Sequence, residues 1–267
     1  MNSQLHDQHI LNRHAGSGKS LVNHCLFQDW LHAADQGKLW LRGPPGTGKS
    51  FFCSAAIEHV SRELPCVSLY QFCRFDDQFV SSSSTSDPSG GVRAAALLVH
   101  QLFRHFWQKD ERVATPASTF IKTADKTLAT LAELACVIVR NGYRYATEKS
   151  GVSDSEPIRL FLFLDGLDEN KDLKTGLEAI NLFENLGTEV PLVQKLWISS
   201  RETFALGQRL KDWPVLGGDG LAEDDVKTFL AENVSKVSKN LGTDREIEGK
   251  PRECWRIMCE TTLTVWS

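Results

Sequence analysis

The chain has 267 residues, 41% of them apolar and 24% charged, with a formal net charge of −4. That composition excludes a wholly disordered chain, a collagen-like chain and a small disulfide scaffold, and the mildly acidic balance argues against a nucleic-acid-binding domain. The longest apolar runs are six residues, Ala94–Val99 and Leu134–Val139, far short of the roughly 20 that a membrane-spanning helix needs. The first 20 residues are polar and His-rich without an apolar centre, so no secretory signal is visible.

In chain order, residues 1–20 are expected to be a disordered tail. Leu26, Phe27, Trp30, Leu31 and Ala34 have helical spacing and predict a flanking amphipathic helix within 21–36. Lys38–Arg42 reads as a short strand, Gly43–Gly48 as a glycine-rich turn, and Lys49–Glu63 as a helix stopping before Pro65. Cys66–Phe72 alternates as a strand, and Ser81–Gly91 is a loop of turn formers. Helices are predicted over Val92–Trp107, with Ala95, Leu98, Val99, Leu102, Phe103 and Phe106 on one side, and over Leu128–Asn141. A further loop is expected at Gly151–Pro157. Leu160–Leu164 is apolar at every position, the pattern of a strand buried on both faces of a parallel sheet. A helix is expected at Leu173–Leu186, a strand at Gln194–Ser199, and a helix with acids in its first turn at Glu223–Val234. Strands alternating with helices give an α/β sandwich with a mainly parallel sheet. The seven cysteines include no Cys-x-x-Cys pair and no cluster with zinc-ligand spacing, and several lie in apolar segments. They read as reduced, mostly buried thiols of a cytosolic or nuclear protein, and a cytoplasmic location is expected.

Gly43-Pro44-Pro45-Gly46-Thr47-Gly48-Lys49-Ser50 fits Gly-x-x-x-x-Gly-Lys-Ser/Thr, with a strand before it and a helix after it. Loop amides and an open helix N-terminus attract phosphate, and glycines let the backbone approach it. Lys49 is expected at the β and γ phosphates and the Ser50 hydroxyl on Mg²⁺, with Phe51 closing the binding segment. Gly18-Lys19-Ser20 repeats part of the motif, but Arg13 stands where the first glycine is required, so no phosphate role is assigned to it. Asp165, at the end of the apolar strand, is positioned to share the metal with Ser50. Asp168 or Glu169 is the candidate for orienting water, and Arg201 the candidate sensor of the γ-phosphate. Asn170-Lys171-Asp172 fails the guanine-reading pattern because Leu173 holds its last position, which excludes a small-GTPase reading. The glycine loop and catalytic-loop signature of protein kinases are absent.

Together these segments resemble the NACHT branch of the STAND signalling NTPases, above all the fungal set with a nephrocystin-3-like N-terminal domain. Three stretches carry the likeness: Leu39–Ser50, Asp165-Gly166-Leu167-Asp168-Glu169, and Trp197-Ile198-Ser199-Ser200-Arg201. The resemblance implies a three-layer P-loop NTPase sandwich over 37–215. It also implies a switch that binds ATP, or GTP as the alternative, with Mg²⁺ and hydrolyses it slowly. Its partners would be other signalling proteins or further copies of itself, in innate-immune, NOD-like-receptor signalling. The family's repeat array and its winged-helix histidine have no counterpart, since all eight histidines precede residue 106. A partial, truncated helical lid is therefore expected over 216–267. Two other readings stand beside this one: a nucleotide-binding scaffold with little or no turnover, and a motor-type ATPase, against which the net charge and the Asp-Gly-x-Asp-Glu form both argue.

Overall fold

A computed structural model describes residues 17–73, 90–108, 127–150, 157–169, 173–184, 186 and 190–240. The expected tail up to residue 16, most of the Ser81–Gly91 loop, residues 151–156, Asn170–Asp172 and Pro251–Ser267 lie outside them. The chain forms two compact units, Met1–Asp225 and Val226–Ser267. Of the second unit, only the helical stretch to Asn240 is described.

The first unit is built on five strands: β1 (Gly37–Arg42), β2 (Val67–Phe72), β3 (Ile158–Asp165), β4 (Leu192–Ser200) and β5 (Val215–Gly217). All pairings are parallel, in the spatial order β2-β3-β4-β1-β5. Parallel neighbours need crossovers, which the helices supply. The helices are α1 (Lys19–Val22), α2 (Cys25–His32), α3 (Lys49–Glu63), α4 (Gly90–Trp107), α5 (Leu128–Ser150), α6 (Leu173–Glu184), α7 (Phe204–Arg209) and α8 (Gly218–Asn240).

The all-apolar run of β3 divides as its pleat requires. Leu160, Leu162 and Leu164 join Val67, Leu69, Leu196 and Ile198 under α4, α5 and α6. Phe161 and Phe163 enter the opposite core with Leu39, Leu41, Trp197 and the inner faces of α2 and α3. Both faces are covered, so the architecture is the expected three-layer α/β sandwich. Ala95, Leu98, Val99, Leu102 and Phe106 of α4 are buried as their spacing predicts.

Several boundaries differ from the sequence expectation. The second long helix does not stop at Asn141 but runs to Ser150, through Gly142. A Cβ at Gly142 would lie 2.3 Å from Cδ1 of Phe106, so this glycine is a packing notch between α4 and α5 and not a helix stop. The helix expected at Glu223–Val234 begins earlier, at Gly218. Helix α1 straddles the expected boundary between tail and flanking helix, with Lys19 and Ser20 on the tail side. Strand β5 and helix α7 are additions, each too short to show a period.

Lys195 of β4 is buried, and its Nζ donates to the carbonyls of Ala33 (2.8 Å) and Asp35 (2.7 Å) at the end of α2. A cation on the last carbonyls of a helix is favoured by their partial negative charge. This contact pins the flanking helix to the sheet.

Candidate functional site

The order of the sheet brings the carboxyl ends of β3, β4 and β1 side by side. Every site residue expected from the sequence lies at these three ends. Ligand crevices of open parallel sheets form at strand carboxyl ends.

After Arg42 the chain turns through Gly43–Gly48 into α3. Gly46 and Gly48 have φ of +82° and +76°, the left-handed region. Gly48 is the N-cap of α3 and no side chain caps that helix. The amides of its first turn, those of Lys49, Ser50 and Phe51, are therefore open to an anion. A Cβ at Gly46 would meet no atom within 4 Å, so the loop is open at that position. Thr47 donates from Oγ1 to the Pro44 carbonyl at 2.9 Å. Lys49 arches back over the loop, with Nζ 2.9 Å from the Gly43 carbonyl and 2.7 Å from that of Pro44. The Phe51 ring stands edge-on to Phe52, with Cε1 4.0 Å from where a Cβ on Gly18 would sit.

Asp165 ends β3, opposite Phe72 on one side and Ser199 on the other. It is 3% exposed. The Ser199 hydroxyl donates to its Oδ1, and the Ser50 hydroxyl bonds to it as well. Burial pushes its carboxyl up to about 6, and the Glu169 charge adds to this. The hydrogen bonds from Ser199 and Ser50 and the Lys49 charge pull the other way. A desolvated carboxylate beside a hydroxyl is an oxygen donor set that suits Mg²⁺, which takes one or two carboxylates and phosphate oxygens. The residues present therefore fit a metal held by Asp165 and Ser50.

Gly166 explains why a glycine follows the acid. Its φ is +66°, and a Cβ there would sit 2.8 Å from the Cys73 carbonyl oxygen. The chain turns sharply into a short 3₁₀ segment, Leu167–Glu169. This turn separates the two following acids. The Asp168 side chain is 2% exposed, and its oxygens accept the Arg201 backbone N–H (2.9 Å) and the Arg201 Nε (2.5 Å). This bonding raises the guanidinium's already high value. Glu169 is exposed and close enough to act on the Asp165 charge. The sequence left the two acids equivalent, whereas the fold gives Asp168 to Arg201 and leaves Glu169 at the surface of the site.

Ser199 is the site residue that sequence reasoning named without giving it a task. Only the pairing of β3 with β4 reveals it, because that register sets Ser199 directly across from Asp165. Among the described residues, Cys53 and Cys73 are buried beside this centre, and burial, then the Asp165 charge, drives the Cys53 thiol well above its ordinary range. No helix of the described residues is long and apolar enough to cross a membrane.

Comparison with known proteins narrows the family. No curated protein matches the chain. Among solved structures it is similar to Drosophila ORC bound to DNA, at 14% identity and a TM-score of 0.39, over 80% of this chain and 46% of that one. It is also similar to the Aeropyrum pernix ORC2 protein in its ADPNP–ADP complexes, at 12% identity and a TM-score of 0.38, over 75% of this chain and 45% of that one. The chain thus spans less than half the length of these two solved chains. The family model described as nephrocystin 3, N-terminal, matches residues 16–201, from just before α1 to the arginine that ends the site. With most of its length inside that match, this P-loop NTPase-like chain belongs to the nephrocystin 3, N-terminal family.

Proposed function

We propose that the chain is a Mg²⁺-dependent nucleoside-triphosphate-binding switch domain that prefers ATP to GTP, hydrolyses it slowly and acts in cytoplasmic NOD-like-receptor signalling. The observation that carries this reading is the meeting of Lys49, Ser50 and Asp165 at an uncapped helix N-terminus. The loop amides and Lys49 hold the phosphates, while Ser50 and Asp165 hold the metal. When bound, Mg²⁺ neutralises charge on the phosphate oxygens. Ser199 keeps the Asp165 carboxylate aimed at that place. Glu169 orients water, and Asp168 acts as the positioning residue for Arg201. The likeness of Leu39–Ser50, Asp165–Glu169 and Trp197–Arg201 to NACHT segments supports the signalling role. The net charge of −4 favours protein partners, including further copies of the chain, over nucleic acid.

Fluorescent ATP and GTP titrated with Mg²⁺ onto the chain, beside Lys49→Ala, test this. Losing charged hydrogen bonds weakens binding by roughly tenfold to hundredfold. A folded chain that binds neither nucleotide overturns the proposal.

One observation favours a second reading, a nucleotide-holding scaffold with almost no turnover. Both oxygens of Asp168 already serve Arg201, so a single acid of the loop, Glu169, remains to activate water. Phosphate release that disappears in Glu169→Gln excludes the scaffold.

A further inference from the structure

The repeated Gly18-Lys19-Ser20 has a use unrelated to phosphate. Gly18 sits at φ +86° and opens α1, and the turn is filled by the chain's own carboxylate. Asp225 accepts the Gly18 N–H through Oδ2 at 2.5 Å and the Ser20 N–H through Oδ1 at 3.1 Å. The Ser20 hydroxyl donates to the Leu221 carbonyl at 3.1 Å. These three bonds join segments about 200 residues apart in the chain.

Both partners also touch the phosphate loop and its helix. A Cβ at Gly18 would lie 3.0 Å from Cβ of Ala55 and 4.0 Å from the Phe51 ring, on α3 just past the loop. At the other end of the contact, Gly218 opens α8 against the loop: a Cβ there would come within 3.3 Å of Thr47 Oγ1 and 3.4 Å of the Arg42 carbonyl. Gly218 to Asp225 thus spans two turns of helix, with the phosphate loop at one end and the Gly18–Ser20 turn at the other.

We propose that Asp225 and the Gly18–Ser20 turn form a latch that holds the first turns of α8 on the phosphate loop and so retains bound nucleotide. The proposal rests on the nucleotide-binding reading above. Coupling of this kind is reciprocal, so nucleotide in the loop tightens the latch by the factor by which the latch tightens nucleotide.

Amide hydrogen exchange of the full chain tests the latch by itself. In Asp225→Ala, exchange within 17–22 and 218–225 is expected to rise by roughly tenfold to hundredfold, the worth of hydrogen bonds to a charged group. Ser20→Ala, which removes only the bond to Leu221, gives the same pattern at smaller amplitude, and decides the matter if Asp225→Ala fails to fold. Release of mant-ADP with Mg²⁺ is then expected to quicken at least about threefold in either variant. Exchange that rises within 17–22 but not within 218–225, or release that is unchanged, overturns the latch. If the unmodified chain holds no mant-nucleotide, the functional reading fails. The exchange pattern then still decides whether the turn holds α8.

Discussion

At Gly166 one backbone angle decides where two carboxylates go. The positive φ lets the chain leave β3 and turn at once, and the absent side chain leaves room for the Cys73 carbonyl. Gly166→Ala incurs both left-handed strain and a backbone clash, so it is expected to cost about 1–3 kcal/mol of stability. A urea titration of the two proteins measures this, and an unchanged midpoint would show that the turn relaxes freely. The variant also separates the roles of the acids. Asp168 depends on the turn to reach Arg201, so disturbing it loosens a half-exposed guanidinium whose side chain is otherwise fixed by a buried partner. An isolated surface ion pair would be worth little. This one differs because the carboxylate is buried and the backbone N–H of Arg201 shares it.

Between elements, the same residue type has an opposite meaning at Gly142. Alanine in a helix interior is ordinarily better than glycine by about 1 kcal/mol. Here the added Cβ would lie inside the Phe106 ring contact, at 2.3 Å. Gly142→Ala is therefore expected to destabilise by about 1–3 kcal/mol, as overpacking does. Removing the ring in the double variant with Phe106→Leu should recover part of that loss. Thermal unfolding of the two single variants and the double variant reads the coupling, and additive effects would mean that the ring moves aside on its own. This helix also shows the limit of what a sequence discloses. Local patterns were enough for the apolar run of β3, the face of α4 and the start of α3, because each depends on neighbours in the chain or on simple burial. The notch at Gly142 depends on a ring in another helix, and the task of Ser199 depends on which strand lies beside β3. Strand β5 has three residues and exists through its pairing with β1. In the candidate site, Lys49 and Ser50 were legible from the spacing of the glycine-rich motif, and Asp165 from its place at the end of an apolar strand. The different surroundings of Asp168 and Glu169 were not, since they are set by a turn and by an arginine just past the end of the neighbouring strand.

For the whole molecule, Asp165 adds its own pH dependence to stability. The Asp165 carboxyl titrates near 6 in the fold, against 3.8 ordinarily, because burial disfavours its charge. The fold therefore binds this proton more tightly than the unfolded chain does. The stability it contributes is complete below pH 3.8, declines as pH rises toward 6, and is absent above that. The metal-free protein at pH 7.5 thus carries a buried charge that costs about 3 kcal/mol. Asp165→Asn keeps an oxygen for the Ser199 hydroxyl and has no charge to bury. Without Mg²⁺, this variant is expected to be more stable than the native chain at pH 7.5, by up to about 3 kcal/mol, and to lose that advantage below pH 4. Urea unfolding of both proteins across pH 4 to 7.5, in chelator, measures the difference, in which every other titrating group cancels. A variant that is weaker by the same amount at every pH would show that the hydroxyl partners stabilise the carboxylate at least as much as burial penalises it. Mg²⁺ with nucleotide should act more strongly on the native chain than on the variant, because the cost of the native chain's buried charge is what a bound cation relieves. Added Mg·ATP is expected to raise the melting temperature of the native chain and leave that of Asp165→Asn nearly unchanged, in line with the general rule that a ligand stabilises only the state that binds it.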